Sequence, residues 1–225
     1  CDWILSRQAE RKETMGMRSQ IYIRWHITDR KGIFHEGLIA RYFGWNFGIR
    51  MVSRCKSILE EIQNVFLPYP YRFSDHDYIK KLERFCDVNF DMQDIQVSTD
   101  IINEVKEYLP ENTEFLFRQD NNNGQLFIDV SDSGIKYGFM KYFNSDTVMD
   151  AEKYMEWDRS DSGLPNWHVP DKNVGTTEII YTEKNIDEIN EMASLMSLDE
   201  IHQFVDWSLE YIQEVIGGER TYDLA

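Results

Sequence analysis

The segment Ser19–Thr28 (SQIYIRWHIT) is followed by Asp29–Gly32 (DRKG) and, a few residues later, by Gly37–Phe43 (GLIARYF). The first segment alternates apolar with polar residues and is rich in β-branched and aromatic side chains, as is typical of a strand. Asp and Gly are common in tight turns, because they tolerate the backbone angles that turns require. The stretch therefore predicts an antiparallel hairpin, from which the rest of the fold can be worked outward.

A helix is predicted directly after the hairpin and the break at Gly44–Gly48 (GWNFG). Apolar residues recur there at steps of three and four, which gives a helix one continuous apolar face. These residues are Ile49, Val52, Cys55, Leu59, Ile62 and Phe66. Pro68 and Pro70 end the pattern, because proline interrupts a helix.

The same rules predict further helices and a central meander. The helices are a short one over Asp77–Cys86, then Thr99–Leu109 capped by Ser98, Asp146–Trp157, Asn185–Met196, and Leu198–Ile216, which opens with the capping box Ser197-x-x-Glu200. The strands are Thr113–Arg118 and Gln125–Val130 around an Asn-Gly turn at Asn121–Gly124, then Ile135–Tyr142, and a separate strand at Thr177–Thr182.

These elements indicate an α+β fold. An antiparallel sheet, built from the N-terminal hairpin and the central meander, packs with about five helices. We expect residues 15–225 to form a single domain. Residues 1–14 are interpreted as an extension or a cloning remnant, because they precede the Met-Gly-Met at Met15–Met17.

The charge of the chain is unevenly distributed. The net charge is −16, and residues 146–225 carry 5 basic and 19 acidic side chains, a net charge of −14. Such a field repels nucleic acid and anionic membranes and attracts basic protein surfaces. We therefore expect no direct nucleic-acid or membrane partner, although an acidic surface that serves only solubility remains the simpler explanation.

The cysteines indicate a reducing compartment, and the sequence lacks the motifs of several common enzyme classes. Cys1, Cys55 and Cys86 are odd in number and lack the spacing of a metal site, so we expect a cytoplasmic protein without a metal. No phosphate loop, dinucleotide fingerprint or nucleophile elbow occurs, so no cofactor is expected.

His26, His35 and Glu36 form the first candidate site, on or beside the hairpin. Two imidazoles and a carboxylate can move protons, and they would lie close together if the strands pair across the turn. Their spacing matches no metal signature. Solvated or structural histidines are the alternative.

The turn between the second strand and the first helix carries the second candidate site. It comprises Arg41, Trp45, Asn46, Arg50 and Arg54. An aromatic ring, an amide and guanidinium groups can receive an anion or a flat ligand such as a nucleotide, and Asn46 can cap the helix. The alternative is that Trp45 packs in the core and the arginines pair with the protein's own carboxylates.

Together with the opening Met15-Gly16-Met17-Arg18-Ser19-x-Ile21-Tyr22-Ile23, this turn resembles a family of uncharacterised proteins of phages, prophages and other bacterial mobile elements. The resemblance covers residues 15–66. It implies a bacterial or phage origin and an intracellular accessory role. It brings no catalytic residues that could be assigned to this chain.

Three functions follow as hypotheses. The first is a binding protein that occupies a basic surface on a partner, acting as a nucleic-acid mimic against a basic host protein. Its acidic face would comprise Asp187, Glu188, Glu191, Asp199, Glu200, Asp206, Glu210 and Glu214. The second, which we favour less, is a small enzyme or ligand-binding protein that uses the turn at Gly44–Arg54. The third is an accessory protein without a pocket.

Overall fold

The computed structural model describes residues 18–44, 46–86, 98–108, 123–142, 145–161, 163, 166–170 and 175–218. The strands are β1 (Arg18–Thr28), β2 (Phe34–Gly44), β3 (Thr99–Asp100), β4 (Gln125–Ser131), β5 (Gly134–Met140) and β6 (Ser194–Leu195). The α-helices are α1 (Gly48–Glu61), α2 (His76–Cys86), α3 (Ile101–Tyr108), α4 (Ala151–Asp161), α5 (Thr176–Met192) and α6 (Leu198–Gly217).

The six strands form one sheet in the order β3-β2-β1-β4-β5-β6. The β1–β4 and β5–β6 pairs are parallel, and the other three pairs are antiparallel. The α+β class is confirmed. The sheet is mixed rather than purely antiparallel, and the described residues contain six α-helices rather than about five.

Helices cover both faces of the sheet. Successive strand residues point to opposite faces, so Ile21 and Ile23 of β1 join one hydrophobic cluster and Tyr22 joins the other. The first cluster packs against α1, α2, α4 and α5, and we call this side the α1 face. The second cluster packs against α3 and α6, and we call it the α6 face. The two cores stabilise the sheet from both sides.

The hairpin is confirmed over its whole length. β1 and β2 pair antiparallel from Arg18 opposite Gly44 to Thr28 opposite Phe34, so β2 begins three residues earlier than predicted. The turn is closed by the Gly32 amide, which donates to the Asp29 carbonyl at 2.9 Å. α1 also follows as predicted, and a π-helical turn at Ile62–Phe66 extends it to the prolines.

The strand predicted at Thr177–Thr182 is wrong, because these residues belong to α5. Their β-branched and aromatic side chains favour strands, but this preference is weak beside burial. Ile179, Thr182 and Ile186 recur at helical spacing and bury one side of α5, whose helix packs on α1. Tertiary packing therefore decides the structure of this segment.

Two other helices begin later than predicted, because strand pairing takes their first residues. Thr99 and Asp100 pair with β2, and Asp100 rather than Ser98 accepts from the first turn of α3, through the Asn103 amide at 3.1 Å. Met149 forms an isolated bridge with Phe139, and α4 starts only after it. The capping box at the start of α6 is confirmed.

The meander is confirmed in part. β4 and β5 pair antiparallel, as expected for Gln125–Val130 and Ile135–Tyr142. The segment Thr113–Arg118 lies outside the described residues. β1 and β5 occupy both edges of β4, so β4 has no edge left for a further partner.

Candidate functional site

The described part of the turn after β2 packs inward. Trp45 lies outside the described residues. Asn46 is fully buried, and its Nδ2 donates to Ser19 Oγ at 2.9 Å and lies 2.9 Å from Met51 Sδ. Arg54 is also fully buried, with its guanidinium carbon 4.5 Å from the centre of the Phe43 ring. Asn46 and Arg54 are thus part of the interior.

Arg41 is engaged by its own chain. Its Nε donates to Ser98 Oγ at 2.9 Å, and its guanidinium lies 3.6 Å from Glu83 and 3.7 Å from Asp100. Pairing with internal carboxylates was the alternative considered for the arginines of this turn. Arg50, one turn into α1, is half-buried. Arg41 therefore links β2 to α2 and to the segment that enters α3.

Asp158 of α4, and not Asn46, accepts at the start of α1. The first helical residue, Gly48, has a φ of +50°, and its amide hydrogen-bonds the Asp158 carboxylate. A Cβ at Gly48 would lie 2.9 Å from Asp158 Oδ2, so glycine is required for this approach. Asn123 Nδ2 donates to the same carboxylate at 3.0 Å. Burial raises the pKa of Asp158 to about 6.

The two hairpin histidines lie on opposite faces of the sheet. In the β1–β2 register His26 is opposite Glu36, and Ile27 is opposite His35. Because partners in register share a face, His26 and Glu36 lie on the α6 face, and His35 lies on the α1 face with Ile27. The structure therefore does not bring His26, His35 and Glu36 together as one site.

His26 belongs to an ion-pair cluster. Its Nε2 is 3.2 Å from Asp129 Oδ2, and Arg24 Nε donates to Asp129 Oδ1 at 2.6 Å. Burial alone would raise the pKa of Asp129, but the bonds from His26 and Arg24 outweigh burial and hold the pKa below its usual value. Asp129 of β4 thus links this strand to Arg24 and His26 of β1.

His35 instead contacts Ser74 and Asp29, which sequence reasoning did not connect to it. His35 Nδ1 forms a short hydrogen bond with Ser74 Oγ, and His35 Nε2 lies 3.3 Å from Asp29 Oδ2. Ser74 follows His35 by 39 residues, and the sequence pattern indicates Asp29 only as a turn residue. The order Ser–His–Asp is the one that activates a serine nucleophile.

The eight acidic residues of the predicted face are divided between the two sides of the sheet. Asp187, Glu188 and Glu191 belong to α5 on the α1 face, whereas Asp199, Glu200, Asp206, Glu210 and Glu214 belong to α6. Glu188 also pairs with Lys56 at 3.2 Å and with Lys184 at 3.4 Å. They therefore do not form one continuous face.

A depression of about 460 Å³ lies at the end of α4. It is lined by Glu156, Arg159, Ser160, Gly163 and Asn166, none of which was predicted as a site residue. Among the described residues, no three His, Cys, Asp or Glu side chains are grouped to hold a metal ion. Nor is any described helix both long and apolar enough to cross a membrane.

Searches against protein-family models, curated proteins and solved structures gave no match to this chain.

Proposed function

We propose that this protein acts by binding a basic surface of a partner protein through the exposed side of α6. One observation carries the proposal: α6 holds five acidic side chains and neither lysine nor arginine over 20 residues. Asp199, Asp206 and Glu210 are exposed and form no ion pair with any described residue. The proposal keeps the accessory role that the resemblance of residues 15–66 implies.

The charge of α6 is less compensated than that of α5. Lys136 of β5 pairs with Glu200 beside the capping box of α6. The α5 carboxylates share their helix with Lys184 and receive Lys56 from α1. A stretch with one sign of charge steers an oppositely charged partner and speeds its association.

An aromatic group lies beside this acidic stretch. Trp207 directly follows Asp206 and is half-buried, and its ring stacks on Tyr211 with the centres 5.0 Å apart. The Arg24 guanidinium carbon lies 5.4 Å from the centre of the Trp207 ring, so the indole also packs against a charged group of β1. Trp, Tyr and Arg contribute most to binding at protein interfaces.

The carboxylates of α6 are spaced more widely than the phosphates of duplex DNA. This spacing favours binding to basic protein surfaces in general rather than close imitation of DNA. Asp206, Glu210 and Glu214 succeed one another at four-residue steps, which is about 6 Å along a helix. Duplex DNA carries one charge per about 1.7 Å of its axis. The helix alone therefore reaches about a third of that density or less. The nucleic-acid-mimic hypothesis is the narrower form of the proposal, and competition with DNA tests it.

The experiment compares two variants that lose the same charge from opposite faces. Asp206→Asn with Glu210→Gln neutralises α6, and Asp187→Asn with Glu191→Gln neutralises α5; both pairs are exposed and four residues apart. Each immobilised protein is incubated with a bacterial lysate at low and at high salt. Captured proteins are identified, and their affinities are then measured with purified material.

We expect the α6 variant to bind roughly 2- to 30-fold more weakly, since it loses two charges and each exposed ion pair contributes about 0.2–1 kcal/mol. The α5 variant should bind as the unchanged protein does, and high salt should release the partner. Equal loss in both variants would show that only net charge matters and would overturn the proposal. If duplex DNA does not displace the partner, the mimic hypothesis fails while the binding proposal stands.

A further inference from the structure

The contact between Ser74, His35 and Asp29 is built by three different elements. Asp29 belongs to the β1–β2 turn, His35 to β2, and Ser74 ends a short 3₁₀ helix, Pro70–Ser74. These residues lie on the side of the sheet opposite α6, so the site is separate from the proposed binding surface.

The turn fixes the carboxylate of Asp29. Its Oδ1 accepts from the amides of Lys31 at 2.8 Å and Ile33 at 2.9 Å, which leaves Oδ2 directed to His35. The Ile33 amide is the main cause that holds the pKa of Asp29 below its usual value, so Asp29 is ionised at neutral pH. The 3.3 Å contact with His35 Nε2 is not aligned as a hydrogen bond, so it acts as an electrostatic contact.

The 3₁₀ helix fixes the serine. Phe73 packs between Trp25 and Phe66, with ring centres 5.7 Å and 4.8 Å away. Arg72 Nη1 donates to the Val65 carbonyl at 2.7 Å. Ser74, the next residue, is therefore presented on an anchored segment.

Burial differs sharply between the serine and the histidine. Ser74 is exposed, whereas His35 is only 7% exposed and lies behind it. With Nδ1 accepting from the hydroxyl, the ring proton is on Nε2, 3.3 Å from Oδ2 of the ionised Asp29. This is the usual arrangement of an activated serine with the two ring nitrogens exchanged. A reactant can therefore reach Oγ, with the base largely buried behind it.

We propose that Ser74 is a nucleophile for esters with an apolar acyl group, with His35 as its general base and Asp29 as the residue that positions His35. Ser74 Oγ attacks the ester carbonyl while His35 Nδ1 takes the hydroxyl proton. The carbon–oxygen bond to the alcohol breaks, and His35 returns the proton to the leaving alkoxide. Water then attacks the acyl-serine while His35 accepts its proton. The bond between the acyl carbon and Ser74 Oγ breaks, His35 returns the proton to Oγ, and the acid is released.

Exposed aromatic and aliphatic side chains lie close to Ser74 and to His35 in the sequence. They favour an ester whose acyl group is apolar. In a 3₁₀ helix residues three apart lie above one another, so Tyr71 shares the face of Ser74. Tyr71 is 52% exposed and packs edge-on against Tyr69. On the histidine side, Ile33 and Phe34 directly precede His35 and are more than half exposed.

The test uses an alkyl fluorophosphonate, which phosphonylates an activated serine and expels fluoride. The modified residue is located by mass spectrometry in the unchanged protein, so no variant needs to fold for this step. We expect the adduct on Ser74 and none on Ser133, an exposed serine whose hydroxyl contacts that of Ser131 rather than a histidine. Labelling of both serines at similar rates, or of neither, would overturn the proposal.

Variants then separate the roles. His35→Gln should slow labelling about 100-fold or more, which is the usual contribution of a general base. Asp29→Asn keeps an oxygen for the Lys31 and Ile33 amides but loses the charge beside His35, so labelling should slow and its pH profile should move to lower pH. Unchanged rates in both variants would refute the roles assigned to these residues. Hydrolysis of p-nitrophenyl butyrate, lost in Ser74→Ala, is the second readout.

Discussion

The buried carboxylate of Asp158 makes a sharp prediction about stability and pH. Its pKa rises from about 3.8 to about 6, chiefly because burial disfavours the charged form. Each unit corresponds to about 1.4 kcal/mol, so ionising Asp158 in the folded protein costs about 3 kcal/mol. Asp158 is only 3% exposed, so solvent screening reduces this figure little.

The sign follows from proton binding. Between pH 3.8 and about 6 the folded state holds this proton and the unfolded state releases it. The contribution of Asp158 to stability is therefore fully present below pH 3.8 and is lost as the pH rises through about 6. About 2 kcal/mol of that change falls between pH 4.5 and 7.5.

The assay is urea denaturation of the unchanged protein and of Asp158→Asn at several pH values in this range. Asparagine leaves one of the two donors, Gly48 or Asn123, unsatisfied, which lowers stability by a constant amount. The difference between the proteins, not the absolute value, is thus the readout. We expect the variant to gain about 2 kcal/mol relative to the unchanged protein between pH 4.5 and 7.5.

Glu156→Gln is the matched control, because Glu156 is an exposed carboxylate of the same helix. Its difference from the unchanged protein should vary little with pH. If the Asp158→Asn difference stays constant within about 0.5 kcal/mol, burial does not govern this carboxylate and the reasoning is refuted.

Two further substitutions test the packing of the sheet at Gly37 and the cap of α6 at Ser197. Gly37→Ala should lower the free energy of unfolding by about 1–3 kcal/mol and shift the tryptophan emission, because a Cβ at Gly37 would overlap the indole of Trp25. Gly44→Ala, in the same strand with open space around it, should change stability little, and a loss equal to that of Gly37→Ala would contradict this account. Ser197→Ala should cost about 1 kcal/mol in thermal or urea unfolding, because it removes the hydroxyl that accepts from the Glu200 amide; no loss would mean that the capping box does not stabilise α6.

Local sequence patterns correctly predicted the elements in which residue-type preference and burial of apolar side chains favour the same backbone conformation. The alternation of Ser19–Thr28 gave β1, and the spacing of Ile201, Phe204, Val205 and Ile212 gave α6. In both, the preferred backbone conformation also buries the apolar side chains. At Thr177–Thr182 the two disagree, since the residue types favour a strand while helical spacing buries Ile179 against the core.

The candidate sites were predicted less well, because they depend on side chains far apart in the chain. Arg41, Asn46 and Arg54 form a recognisable motif, but only the fold shows Arg41 against Ser98 and Arg54 beneath Phe43. No local signal links Ser74 to His35. The contact exists because the 3₁₀ helix packs on β2.

By itself, the sequence determined the α+β class, the first hairpin, the helices with one apolar side and the excess of negative charge toward the C-terminus. Periodicity and composition act locally, so they can be read without coordinates. Tertiary structure alone decided which residues meet. It inserted β4 parallel to β1, placed α5 and α6 on opposite faces, and so divided the carboxylates that the sequence presents as one group. Strand order and helix placement depend on the burial of the whole chain, which no single segment encodes.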